Sequence, residues 1–66
     1  MMEGKVKWFS DQRGFGFIEA NNKDYFVHYK EIQSTGFKSL GEGVRVQFEP
    51  STSPKGNIAT KVNVLI

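Results

Sequence analysis

Seven large rings fall within one third of a 66-residue chain: Trp8, Phe9, Phe15, Phe17, Tyr25, Phe26 and Tyr29, with the single histidine, His28, among them. A flat side chain can present a π-face to another flat ring, which an aliphatic one cannot. Stacking a nucleobase on such a face is worth about 1–3 kcal/mol and depends little on which base is stacked. The basic residues Lys5, Lys7, Arg13, Lys30, Lys38 and Lys55 lie among and beyond the rings and suit phosphate neutralisation, each contact adding to the salt dependence of binding. At 14% aromatic, the chain carries more rings than so small a core requires.

Other chemistries find little support. There is no cysteine, so neither a disulfide framework nor a thiolate metal site is available. With one imidazole, a zinc site would rest almost wholly on carboxylates, and His28 reads as a stacking or hydrogen-bonding group instead. No Ser/His/Asp or Cys/His set and no facing pair of carboxylates can be assembled, so no enzymatic activity and no cofactor are expected. Gly14-Phe15-Gly16 fails as a dinucleotide fingerprint, because Glu19 stands where the third glycine belongs and no helix follows. No apolar run approaches the roughly 20 residues of a membrane span, and Met1–Lys5 lacks the apolar stretch of a secretory signal. A cytoplasmic protein without a membrane partner is expected. The net charge of +2 comes from residues 34–66, since residues 1–33 balance; this argues only weakly for a polyanionic partner.

The elements that position the rings are strands. Apolar residues do not recur at helical spacing, and seven glycines punctuate the chain. Strands are expected at about 3–10, 14–20, 24–29, 44–49 and 57–65. Asn21-Asn22-Lys23-Asp24 forms a short hairpin turn, a 14-residue connection spans 30–43, and a loop runs from Pro50 to Gly56. Three strands, a long crossing connection and two more strands predict an all-β, five-stranded antiparallel Greek-key barrel of the OB type, closed because so short an open sheet would leave edges exposed. A single domain over residues 1–66 is expected.

Alternation along the strands sorts residues onto two faces. Ile18 and Ala20 oppose Phe15, Phe17 and Glu19; Tyr25 and Val27 oppose Phe26 and His28. With Val6, Ile32, Val44, Val46, Phe48, Ile58, Val62 and Val64 to fill the barrel, Phe15, Phe17, Phe26 and His28 are left outside, a patch that marks a binding surface. Ordinary core packing of these phenyl rings is the alternative, at the expense of leaving Ile18 and Val27 in water. Gly14 and Gly16 between the rings suggest that something approaches closely there. Strict alternation puts Trp8 with Val6 on the core side unless the first strand bulges, and Tyr29 with Val27 unless the third strand ends. Phe37 is either a plug over the barrel end or a further stacking ring. A peptide-binding barrel of the SH3 type is a second reading, opposed by the basic neighbours Lys7, Arg13 and Lys30 where such grooves carry acidic ones.

Four motifs in order then define a resemblance. Arg13-Gly14-Phe15-Gly16-Phe17-Ile18 matches the RNP1 pattern, and Tyr25-Phe26-Val27-His28-Tyr29 looks like RNP2. With Gly4-Lys5-Val6-Lys7-Trp8-Phe9 before them, and Gly36-Phe37-Lys38-Ser39-Leu40 and Glu42-Gly43 after, essentially the whole chain resembles the bacterial cold-shock proteins. That resemblance implies an OB-type barrel that binds single-stranded RNA and DNA, favours pyrimidine-rich segments and acts as an ATP-independent RNA chaperone. A role as a regulator of transcription or translation in cold adaptation is implied with it. It places the stacking rings at Trp8, Phe15, Phe17, Phe26, His28, Tyr29 and Phe37, with Phe9 beside them and Lys7 near the backbone. It turns Trp8 and Tyr29 outward. The chain departs from the family at Ser10, Arg13, Tyr25 and Tyr29 (whose hydroxyl could bond a base), in the Pro50–Gly56 loop and at Asn57-Ile58-Ala59. The apolar tail Val62–Ile66 also departs. A monomer is expected, with pairing through the C-terminal strand as the alternative.

Overall fold

In the computed structural model, which describes residues 1–33 and 40–65, five strands close into a barrel: β1 (Met2–Ser10), β2 (Phe15–Ala20), β3 (Lys23–His28), β4 (Arg45–Ser53) and β5 (Gly56–Val64). Their order around the barrel is β1-β2-β3-β5-β4, with β4 returning to β1. Four seams are antiparallel; the β3–β5 seam is parallel and joins at Phe26 and Ile58. That is the expected barrel with one parallel junction, which the long crossing connection creates when it brings β5 beside β3. Phe37 and Lys38 lie outside the described residues.

The β2–β3 hairpin follows the alternation read from its residues. Asn21 and Asn22 turn the chain at φ of 52° and 63°, a region that asparagine enters more readily than most residues. Ile18, Ala20, Tyr25 and Val27 point into the barrel, where Val6, Ile32, Val46, Phe48 and Val62 meet them. Tyr25, which departs from the family pattern, fits this core, its ring centroid 5.0 Å from that of Phe48. Leu40 and Ala59 are also buried, and the sequence pattern had not marked either. Val44 is only half-buried, packed against the core from its rim.

Two expectations fail at β4 and β5. The segment after Pro50 is strand, not loop: β4 continues to Ser53, and only Pro54-Lys55 link it to β5. Proline is tolerated because β4 pairs with β1 only through Phe48, so that beyond it the strand is a sheet edge with β5 on one side. Ile58 and Val64 are not core. The β4–β5 register slips between Gln47 and Glu49, giving β5 an extra residue opposite Phe48. Lys61 takes that place at φ 50°, so the inward series runs Ala59 then Val62, and Ile58 is turned outward. Val64, past the bulge, emerges at the end of the barrel and is exposed.

Lys61 is held in its left-handed conformation from several sides. Its N–H donates to Glu31 Oε1 (3.3 Å), its carbonyl accepts from Asn63 Nδ2 (3.3 Å), and its ammonium lies 3.5 Å from Glu49 Oε2. Lys61→Gly keeps both backbone hydrogen bonds and removes the strain. It is expected to stabilise the barrel by about 1 kcal/mol, seen as a higher urea midpoint at unchanged slope. The exposed ion pair that is lost contributes about 0–1 kcal/mol at most.

Candidate nucleic-acid interface

The outward face of β1, β2 and β3 is where the rings collect. Register places Trp8 beside Phe17 and Phe17 beside Phe26, and in the next row Ser10 beside Phe15 and Phe15 beside His28. Four rings form a closed cycle: Trp8–Phe17 (centroids 5.5 Å), Phe17–Phe26 (5.8 Å), Phe26–Phe15 (5.5 Å) and Phe15–Trp8 (6.0 Å). Their tilted and edge-on geometries are the favoured ones for aromatic pairs, each worth about 0.5–1.5 kcal/mol beyond burial. Ile18 and Val27, behind them, have no exposed surface. Inward packing of Phe15, Phe17 and Phe26 is thereby excluded.

Trp8 faces outward because β1 bulges. The β1–β2 register shifts between Val6 and Trp8, leaving Lys7 as the extra residue. Val6 points in, Lys7 and Trp8 both point out, and Phe9 turns back toward the core. The face seen by Trp8 is thus the opposite of what strict alternation gives. Tyr29 is released differently: β3 ends at His28, and Tyr29 opens a 3₁₀ turn (Tyr29–Glu31) whose N-terminus is capped by the His28 side chain. Trp8 is 38% and Tyr29 40% exposed, against half-buried neighbours. The Tyr29 ring lies 4.7 Å from that of His28 and packs over Gly14, whose φ of 78° and missing side chain leave room for it.

Gly16 does not have the role the sequence suggested. It is buried, and what approaches it is the chain itself: a Cβ there would lie inside contact distance of the Trp8 carbonyl and 2.6 Å from Phe9 Cα. Glycine at this place lets the bulged β1 backbone close onto β2. Phe9, half-buried against the core, makes no ring contact with the outward cycle.

Charge borders the platform. The Lys7 ammonium reaches across β2 to Asp24 Oδ2 on β3 at 3.1 Å, with both side chains about half exposed. Such a pair contributes about 0–1 kcal/mol and leaves the ammonium free to exchange partners. Arg13 and Lys30 are exposed at the His28 end, and Arg13 N–H donates to Ser10 Oγ (3.3 Å) in the β1–β2 turn. Beside Phe17 and Phe26 a hollow of about 550 Å³ is lined also by Ile58, Asp24, Lys55 and Asn57. Ile58 and Asp24 belong to this surface, and the sequence reading missed both. Asp24 sits on the outward face with Phe26 by simple alternation, and that signal was present. A second hollow, near Glu3, Glu19 and Arg45, has no aromatic lining. Among the described residues no group of three or more His, Cys, Asp or Glu could hold a metal ion, and no helix is long and apolar enough to cross a membrane.

A small closed barrel with a ring-covered outer face and a basic margin defines a nucleic-acid-binding module of the OB kind. Comparison with known proteins agrees. Residues 2–65 match the model of the 'cold-shock' DNA-binding domain. The chain is 52% identical to the cold shock-like protein CspA of Bordetella pertussis over 98% of its own length and all of that protein's. It is 54% identical to the probable cold shock protein A of Mycobacterium tuberculosis over the same shares. It is also 50% identical to the cold shock-like protein CspE of Escherichia coli, over 97% of this chain and 96% of that one. A solved structure, Drosophila Unr CSD456, superposes with a TM-score of 0.80 over 98% of this chain and 26% of its own, at 19% identity, a likeness of fold. The chain belongs to the cold-shock domain family, whose members bind nucleic acids. The peptide-groove alternative falls with this.

Because the bulge depends on Gly16, Gly16→Ala is expected to cost about 3 kcal/mol or more, since both obstructing groups are backbone and cannot turn aside. Urea unfolding followed by the emission of Trp8, the one tryptophan, measures it.

Proposed function

We propose that the protein binds single-stranded RNA and DNA by stacking successive bases on the rings of β1–β3, with a preference for pyrimidine-rich segments. The observation that carries this reading is the cycle of Trp8, Phe15, Phe17 and Phe26, four rings in tilted and T-shaped contact on the outside of a barrel that already has a full core. His28 and Tyr29 extend the row, and Lys7, Arg13, Lys30 and Lys55 neutralise phosphates at its margins. Phe37, from the long connection, adds a further ring. The protein acts as a monomer.

Function follows from mass action. A base inside a duplex has both faces covered, so the platform takes only unpaired bases, and a ligand of the open form alone draws a weak hairpin toward opening. No ATP and no catalytic step are needed. This is the activity of an RNA chaperone, and through the hairpins it opens the protein regulates transcription or translation in the cold.

Titrating Trp8 emission with an oligothymidine at low salt is expected to show saturable quenching; its absence would overturn the reading. Phe15→Ala and Phe26→Ala are each expected to weaken binding by about 5- to 150-fold, the equivalent of one stacked base, while circular dichroism stays that of the folded barrel. Arg13→Gln is expected to lower the slope of log affinity against log salt by about 0.7, one phosphate contact on a single strand.

A further inference from the structure

A third hollow, of about 370 Å³, opens where the start of β3 meets the end of β4 and the start of β5, and it has no part in the ring platform. Lys23, Tyr25, Pro50, Ser51, Thr52 and Asn57 line it. Tyr25 sets it apart. Its ring belongs to the core, 5% exposed and packed against Phe48. An aliphatic side chain would fill that space without bringing in an oxygen. The Tyr25 hydroxyl has no hydrogen-bond partner among the described residues. Yet no buried side-chain oxygen or nitrogen among them lacks a partner. The hydroxyl is therefore the part of Tyr25 that reaches the surface, and the surface it reaches is this hollow. A tyrosine so deeply placed ordinarily pairs its O–H within the protein; this one holds it out toward solvent.

Lys23 shares the inward side of β3 with Tyr25 and Val27, but the barrel ends there and leaves it exposed. It takes part in no ion pair among the described residues, whereas its neighbour Asp24 is turned the other way and paired with Lys7. Among the described residues no carboxylate lines the hollow. An ammonium, three hydroxyls and an amide offer many donors, and the ammonium cannot accept at all. The partner that suits such a set is an anion that only accepts, and a phosphate group is one. We infer that this hollow seats a backbone phosphate of the strand as it leaves the platform. Asn57 lines both this hollow and the one beside Phe17 and Phe26, so the two are continuous across it. One lysine holds a free anion poorly in water, but a phosphate tethered to a stacked base arrives at a high effective concentration. The inference rests on the stacking reading and lengthens its footprint by a contact that needs no base.

Titrations of Trp8 emission test it by comparing hexathymidine with hexathymidine carrying three abasic sugar-phosphates at its 5′ or its 3′ end. Such a tail cannot stack and creates no new register, so it adds phosphates alone. The wild type is expected to gain about three- to tenfold in affinity from a tail at one end. The slope of log affinity against log salt is expected to steepen by about 0.7 with it. Tyr25→Phe keeps the ring, the core and every charge; it is expected to bind bare hexathymidine as the wild type does and to lose most of the gain. Lys23→Gln is expected to lose both the gain and the added slope. A gain in Tyr25→Phe equal to the wild type's, or equal gains from both ends, would reveal only a diffuse positive field and overturn the inference. Inorganic phosphate, added at constant ionic strength, supplies the other source. If it shifts the Asn57 side-chain amide in a proton–nitrogen spectrum while the tails add no affinity, the hollow takes free phosphate and the strand assignment is overturned. Hexathymidine bound without any gain from a tail overturns this inference and leaves the platform standing, whereas a wild type that binds neither overturns both.

Discussion

A barrel of five short strands can close only if its sheet coils tightly, and here one extra residue in β1 and one in β5 do part of that work. Each bulge also reverses which side the neighbouring residues face. Lys7 in β1 turns Trp8 outward, and Lys61 in β5 turns Ile58 outward. The two outward turns flank the β2–β3 hairpin, so that Trp8 meets Phe17 on one side and Ile58 meets Phe26 on the other. The width of the apolar surface is thus a by-product of closure. The β1 bulge in turn hangs on Gly16, the one place where the Trp8–Phe9 backbone can come close enough to β2.

This dependence explains which parts of the molecule were legible in its residues. β2 and β3 are unbroken six-residue alternations, and the faces of Phe15, Phe17, Ile18, Phe26, Val27 and His28 follow from counting by twos. A bulge is a one-residue event with no composition of its own, and past it the same counting gives the wrong face. Trp8 and Ile58 are both casualties of that kind, and the resemblance to a family turned Trp8 outward where periodicity left it open. Pro50 was misread for another reason: proline ends a central strand but not an edge, and which of the two β4 is at that point depends on where β1 stops pairing. Leu40, buried from within a long connection, belongs to no period.

Gly16 is the instructive case. A glycine between two rings does signal close approach, and the signal was sound. What approaches is decided by which face the glycine occupies, and on an alternating strand Gly16 shares the inward face of Ile18 and Ala20. Neither a ligand nor a phosphate comes to that face. By the same logic Gly14, at positive φ outside β2, gives its space to Tyr29, whose ring occupies the outer surface.

The rings also hold one another in place. Each ring of the four-membered cycle touches two others, so on the proposed stacking reading little side-chain freedom would remain to be lost on binding. Ordering a mobile aromatic side chain on binding costs about 0.5–1.5 kcal/mol, a sizeable fraction of what one stacked base returns. Mutual packing of Trp8, Phe15, Phe17 and Phe26 moves that cost from binding to folding, where the core formed by Ile18, Val27, Val46, Phe48 and Val62 offsets it. The opposite holds for Lys7, whose pairing with Asp24 is exposed and exchangeable. On the proposed stacking reading, a packed apolar centre with an exposed charged margin would offer bases fixed seats while the phosphates between them, whose spacing varies with backbone conformation, met side chains able to exchange partners.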